Sequence, residues 1–114
     1  MSVKLTTRQV ADVTVVDAAG RITLGEGAST FRDKIRDLVT GGNKKLLLNL
    51  AEISYIDSSG IGELVSGFTT VTNQGGSVKL LNLTKRVQDL LQITKLYTVF
   101  EVFDDETKAV RSFA

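Results

Sequence analysis

Lys45-Leu46-Leu47-Leu48-Asn49-Leu50 is an almost unbroken apolar run, and it lies between two stretches whose apolar residues recur at helical spacing. A run this short and this continuous fits a central strand covered on both faces. Helices are the usual cover for such a strand, so this segment points to an α/β architecture. The first flanking helix is expected from about Ala28 to Thr40, with Ala28, Phe31, Ile35, Leu38 and Val39 inward. Arg32, Asp33, Lys34, Arg36 and Asp37 fall largely outside that stripe, and Gly41-Gly42-Asn43 supplies a stop. The second carries Ile61, Leu64, Val65, Phe68, Val71 and Thr72 and ends near Asn73-Gln74-Gly75-Gly76.

The same logic places the remaining elements. Val3 to Val10 alternates roughly at period two and reads as an edge strand; Val13 to Ala19 is rich in β-branched residues and reads as a second. Ala11-Asp12 between them predicts a tight hairpin. Gly20, Gly25 and Gly27 punctuate the stretch beyond the second strand, with Ile22-Thr23-Leu24 a short extended piece. Val78 to Leu83 is a further strand. Thr84 is placed to cap a helix with Val87, Leu90, Leu91 and Ile93 on one side. Val99 to Phe103 is the last strand, and Asp104-Asp105 open a C-terminal helix with Val110 and Phe113 inward. The order β-β-α-β-α-β-α-β-α predicts a single domain over residues 1–114: a mixed, mostly parallel sheet with an opening hairpin and about four helices.

What the chain lacks narrows its chemistry. There is no cysteine and no histidine. Disulfides, thiolate or imidazole metal sites, Cys nucleophiles and any Ser-His-Asp triad are therefore excluded. No cofactor is expected. Gly25-Glu26-Gly27 and Gly60-Ile61-Gly62 each match only part of a dinucleotide fingerprint, and Gly41-Gly42-Asn43-Lys44-Lys45 lacks the spacing and hydroxyl of a phosphate loop. A net charge of +1 provides no field to gather nucleic acid or an anionic membrane, and Lys44-Lys45 and Lys85-Arg86 read as solvated pairs. Asp104-Asp105-Glu106 reads as a helix start rather than a metal cluster, and the five phenylalanines read as core. No apolar run approaches the ~20 residues that cross a bilayer, and the first residues lack the order of a signal peptide. The expectation is a cytoplasmic, non-enzymatic protein.

One segment stands apart. Tyr55-Ile56-Asp57-Ser58-Ser59-Gly60 joins an apolar stretch to an amphipathic helix, and in a βα unit that junction is the usual place for function. By residue type alone it is an ordinary helix N-cap, which Asp57, Ser58 or Ser59 could each provide. Gly60 and Gly62 cost helix stability if they fall in the first turns, so something is expected to approach the backbone closely there. A phosphate on one of the serines would sit near the positive end of the helix dipole.

Leu47-Leu48-Asn49-Leu50 followed by Ile53-Ser54-Tyr55-Ile56-Asp57-Ser58-Ser59-Gly60-Ile61-Gly62 resembles the signature of the STAS family, which includes bacterial anti-sigma-factor antagonists. Gly75 to Leu80, Val87 to Leu96 and Phe100 to Phe103 resemble the later elements of that family, so the likeness spans essentially the whole chain. The resemblance implies a partner-switching cycle. An anti-sigma factor that is also a serine kinase binds the unmodified antagonist and releases its sigma factor. It then ends the interaction by phosphorylating the first hydroxyl after the aspartate, here Ser58, with Ser59 the runner-up. A metal-dependent serine phosphatase resets the cycle. The implied partner surface is Asp57, Ser58, Ser59, Gly60, Ile61, Gly62 and Glu63. The alternative within the family is an unphosphorylated scaffold in a lipid-transport or sensory complex. One departure concerns partner identity: where family members often carry an acidic pair after the second strand's glycine, this chain reads Gly20-Arg21-Ile22-Thr23-Leu24.

Overall fold

The computed structural model describes residues 3–113. Strand β1 (Val3–Val10) and strand β2 (Val13–Ile22) form an antiparallel hairpin in which Val10 faces Val13 across the Ala11-Asp12 turn. Ala11 turns the chain at φ 55°, a left-handed conformation that lacks the ease glycine would give it. From β2 onward every pairing is parallel. Strand β3 (Lys45–Ile56) pairs β2, strand β4 (Ser77–Leu81) pairs β3, and strand β5 (Val102–Phe103) pairs β4, so the order across the sheet is the order along the chain.

Because the sheet grows in one direction, right-handed crossovers place helices α1 (Glu26–Thr40), α2 (Ser58–Asn73) and α3 (Lys85–Ile93) on one face. There the main core gathers Val16, Ala18, Leu46, Leu48, Leu50 and Leu80 from the sheet with Phe31, Ile35, Leu64, Val71, Val87 and Leu91 from the helices. The other face holds a smaller cluster of Val13, Val15, Leu47, Leu81 and Ala109, capped by helix α4 (Glu106–Ser112). The alternation of Leu46 and Leu48 with Leu47 is thus the two-sided burial expected of this strand. Lys79, nearly buried on the second face, donates to the Ser112 carbonyl at 2.9 Å and pins α4 in place. Asp105 caps α4 by accepting from Lys108 N–H at 3.2 Å, and Thr84 caps α3 by accepting from Val87 N–H at 3.4 Å.

The fold class and element order stand, while several boundaries move for physical reasons. β3 does not stop at Leu50 but continues to Ile56. Beyond Asn49 it pairs only with β2, because β4 ends opposite it, and Ala51, Glu52 and Ser54 are exposed. Polar residues at that free edge hide the strand from an apolar-run criterion. β2 likewise runs through Gly20 to Ile22; its register shifts between Asp17 and Ala19 and again between Gly20 and Arg21, so Gly20 serves an irregularity rather than an end. β4 stops at Leu81, where Asn82 turns left-handed at φ 57°. The last strand shrinks to Val102–Phe103, preceded by a 3₁₀ turn at Leu96–Thr98. Ile93, expected inward, is 76% exposed at the end of α3. Val110 and Phe113 are half-buried, and Ala109 is the fully buried residue of α4.

Candidate functional site

The parallel strands β2 and β3 deliver their C-terminal ends side by side, with Ile22 opposite Ile56, and α2 begins immediately beyond. Asp57 occupies the cap position in extended conformation. One carboxylate oxygen accepts from Gly60 N–H at 2.9 Å, the bond of an N-cap. The other accepts from Leu24 N–H at 3.0 Å, which belongs to the β2–α1 connection. Burial pushes the Asp57 carboxyl upward, but the backbone N–H groups of Leu24, Gly60, Ser59 and Asp57 itself outweigh it and hold the group below the ordinary carboxylate range. Asp57 is therefore ionised at neutral pH and ties two loops together. Of the three cap candidates read from the sequence, it is the one that caps.

Gly60 has a geometric reason to be glycine. A Cβ there would lie 2.1 Å from the Ile22 carbonyl oxygen and 2.6 Å from Ile56 Cγ1. The close approach expected at this residue comes from the chain's own strand ends. Gly62 differs, since a Cβ there would meet nothing within 4 Å.

The residues expected to form the partner surface divide by exposure. Ser58 and Gly62 are exposed, and Asp57, Ser59 and Glu63 are half-buried. Gly60 and Ile61 are buried, so their place is in the support beneath that surface. Glu63 pairs with Arg32 of α1 at 3.6 Å. The Ser58 hydroxyl makes no hydrogen bond to another described residue and stands at the first position of α2. The two serines, equivalent in sequence, thus differ in access.

Three further residues adjoin the site: Leu24 and Arg21, from the stretch 20–24 that departs from the family pattern, and Arg86, which the sequence places only as half of a solvated basic pair. Leu24 is 79% exposed directly beside the Asp57 carboxylate. Arg21 lies over the Tyr55 ring with its guanidinium carbon 5.1 Å from the centroid, and Arg86 does the same at 4.4 Å. Register marks the first of these pairs, since Arg21 sits opposite Tyr55 across β2 and β3; nothing local marks Arg86, which arrives from α3. The site as a whole is a surface. A groove of about 580 Å³ beside Asn82, Thr84, Phe103 and Asp104 includes none of residues 57–63. No helix among the described residues is long and apolar enough to cross a membrane.

The family model described as the STAS domain matches residues 4–109. The chain is 34% identical over 102 residues to the anti-sigma-B factor antagonist of Bacillus subtilis, covering 90% of this chain and 92% of that protein. Its structure superimposes on an anti-sigma factor antagonist from Mycobacterium paratuberculosis with a TM-score of 0.87 at 16% identity, over 98% of this chain and 94% of the other. It also superimposes on the Bacillus cell fate determinant SpoIIAA in its phosphorylated form with a TM-score of 0.75 at 19% identity, over 97% and 100% of the two chains. At such identities these two likenesses establish the fold alone. The match across nearly the whole chain, together with the Bacillus subtilis relative, establishes more than a shared fold: the chain belongs to the STAS domain family and has anti-sigma factor antagonists among its relatives.

Proposed function

We propose that this protein is an anti-sigma-factor antagonist whose binding surface is switched off by phosphorylation of Ser58. The observation that carries the reading is the division of labour between adjacent residues. Asp57 makes the structural cap, and Ser58 stands exposed with its hydroxyl uncommitted. A phosphate on Ser58 would add about −1.5 to −2 charges at a helix N-terminus, where the dipole tolerates it. The cap and the loop bond need not break. The added charge falls instead beside the ionised Asp57, on the surface offered to a partner. In this reading the partner is an anti-sigma factor that is also a serine kinase, and a metal-dependent serine phosphatase removes the phosphate. The chain itself acts as substrate and binding module. Ser59, half-buried one residue on, is the poorer acceptor.

Intact-mass measurement after incubation with ATP and a co-encoded serine kinase tests this. One phosphate on the wild type, absent from Ser58→Ala and kept by Ser59→Ala, is the expected result. A kinase that binds the chain tightly yet adds no phosphate would overturn the switch and leave a scaffold role.

A further inference from the structure

Two guanidinium groups converge on one aromatic ring at the strand ends that carry the site. Arg21 and Arg86 stand 5.1 Å and 4.4 Å from the Tyr55 centroid. Arg86 also donates from Nε to the Ile56 carbonyl at 3.4 Å, one residue before the Asp57 cap. Attraction to the ring face holds both cations in place. It does not neutralise them, and among the described residues neither forms a salt bridge. Asp57, two residues beyond Tyr55, already spends its two oxygens on Leu24 and Gly60, and Asp17 and Asp89 are paired with Arg8 and Lys85. Two exposed guanidinium groups, each held against the same ring and without an ion-pair partner among the described residues, are available to an anion.

We infer that Arg21 and Arg86, held over Tyr55, are the docking point for a carboxylate-bearing surface on the protein that binds at Ser58. The inference rests on the reading of Ser58 as a partner contact and adds the partner's chemistry to it. Guanidinium forks match carboxylates in shape as well as charge, so one Asp or Glu of the partner can bond to each. The same arrangement accounts for the sign of the switch. Carboxylates drawn to the arginines are brought close to Ser58, and a phosphate there opposes them at short range. Nucleic acid is a poor occupant for this patch, because the ionised Asp57 follows Tyr55 by two residues and the chain as a whole carries only +1.

The full chain, isotope-labelled for NMR, is titrated at low salt with a hexaglutamate peptide, with hexaglutamine and inorganic phosphate as separate arms. The largest shifts are expected at the Arg21 and Arg86 side-chain N–H groups and the Tyr55 ring with hexaglutamate alone, and they disappear in Arg21→Gln/Arg86→Gln. Shifts spread evenly over other surface cations such as Lys34 and Arg36, or produced equally by phosphate, overturn the inference. A second arm uses the co-encoded kinase. Arg21→Glu/Arg86→Glu is expected to weaken its binding by about tenfold or more and to flatten its dependence on salt. Unchanged affinity of that variant, with Ser58 still phosphorylated, overturns the docking point and spares the switch. Hexaglutamate landing on the arginines of a chain that no kinase modifies supports the docking point and sinks the switch.

Discussion

The carboxylate of Asp57 accepts the backbone N–H of Leu24 at 3.0 Å, across 33 residues of chain, while its other oxygen caps α2 through Gly60. Removing it with Asp57→Ala loses a cap worth ~1 kcal/mol and a second charge-assisted bond, so a total destabilisation of about 2–3 kcal/mol is expected in urea denaturation. Asp57→Asn keeps the shape and one acceptor oxygen and is expected to fall in between. Equal stability of all three proteins would show that the bond to Leu24 contributes nothing.

Gly60 and Gly62, two residues apart, are expected to respond oppositely to alanine. At Gly60 the new methyl would meet the Ile22 carbonyl at 2.1 Å, with backbone rather than a flexible side chain in the way. A loss of about 2 kcal/mol or more is expected from the forced displacement of α2. At Gly62 the methyl enters open space inside a helix, where alanine is favoured by up to ~1 kcal/mol. Thermal melts of the two single variants, moving in opposite directions, are the check.

Ser58→Asp places a negative charge on the first residue of α2 without touching the Asp57 bonds. The dipole favours it by about 0.3–1 kcal/mol, offset in part by the nearby Asp57 charge, so the melting temperature is expected to stay within a few degrees of wild type. Binding to the proposed anti-sigma partner is expected to weaken strongly in the same protein. A variant that unfolds at low temperature would move the effect of charge from the surface to the fold.

Acid should reveal the same groups. The Arg8 guanidinium lowers the Asp17 and Glu106 carboxyls, Lys45 lowers Asp12, and backbone N–H donors lower Asp57 against the pull of burial. Each carboxyl binds its proton more weakly folded than unfolded. Their stabilisation is therefore complete above the unfolded carboxylate range near about pH 4 and is lost as pH falls through that range to the folded values. With no histidine in the chain, little change is expected between about pH 5 and pH 7. Denaturation midpoints from pH 7 to pH 2 test this, and Asp57→Asn should shallow the acid limb.

Elements whose own residues determine their burial were legible in the sequence. Leu46 to Leu50, the stripe of Phe31 and Ile35, the Thr84 cap and the helix start at Asp104-Asp105 lie where periodicity, capping and helix-terminus charge place them. The misplacements have two causes, a strand neighbour distant in the chain and a backbone reversal that no residue type announces. Ala51 to Ser54 are strand because β2 is beside them, and Ile93 is exposed because the chain turns away at Lys95, left-handed at φ 60°. The site was legible as a segment, not as a surface. Ser58 and Ser59 differ in access only once α2 is docked, and the Arg21–Tyr55–Arg86 cluster joins three elements with no common motif.

Arg21 and Ile22 are consecutive residues of one strand, the first exposed and the second fully buried with its carbonyl against Gly60. A bacterium that keeps several such proteins needs each to ignore the others' partners. Here the residue proposed to meet the partner and the residue that packs against Gly60 are chemically separate though covalently adjacent. After gene duplication, position 21 can drift in charge while position 22 keeps the strand end packed against Gly60. Insulation between parallel signalling lines can thus arise by single substitutions that leave a working fold at every step.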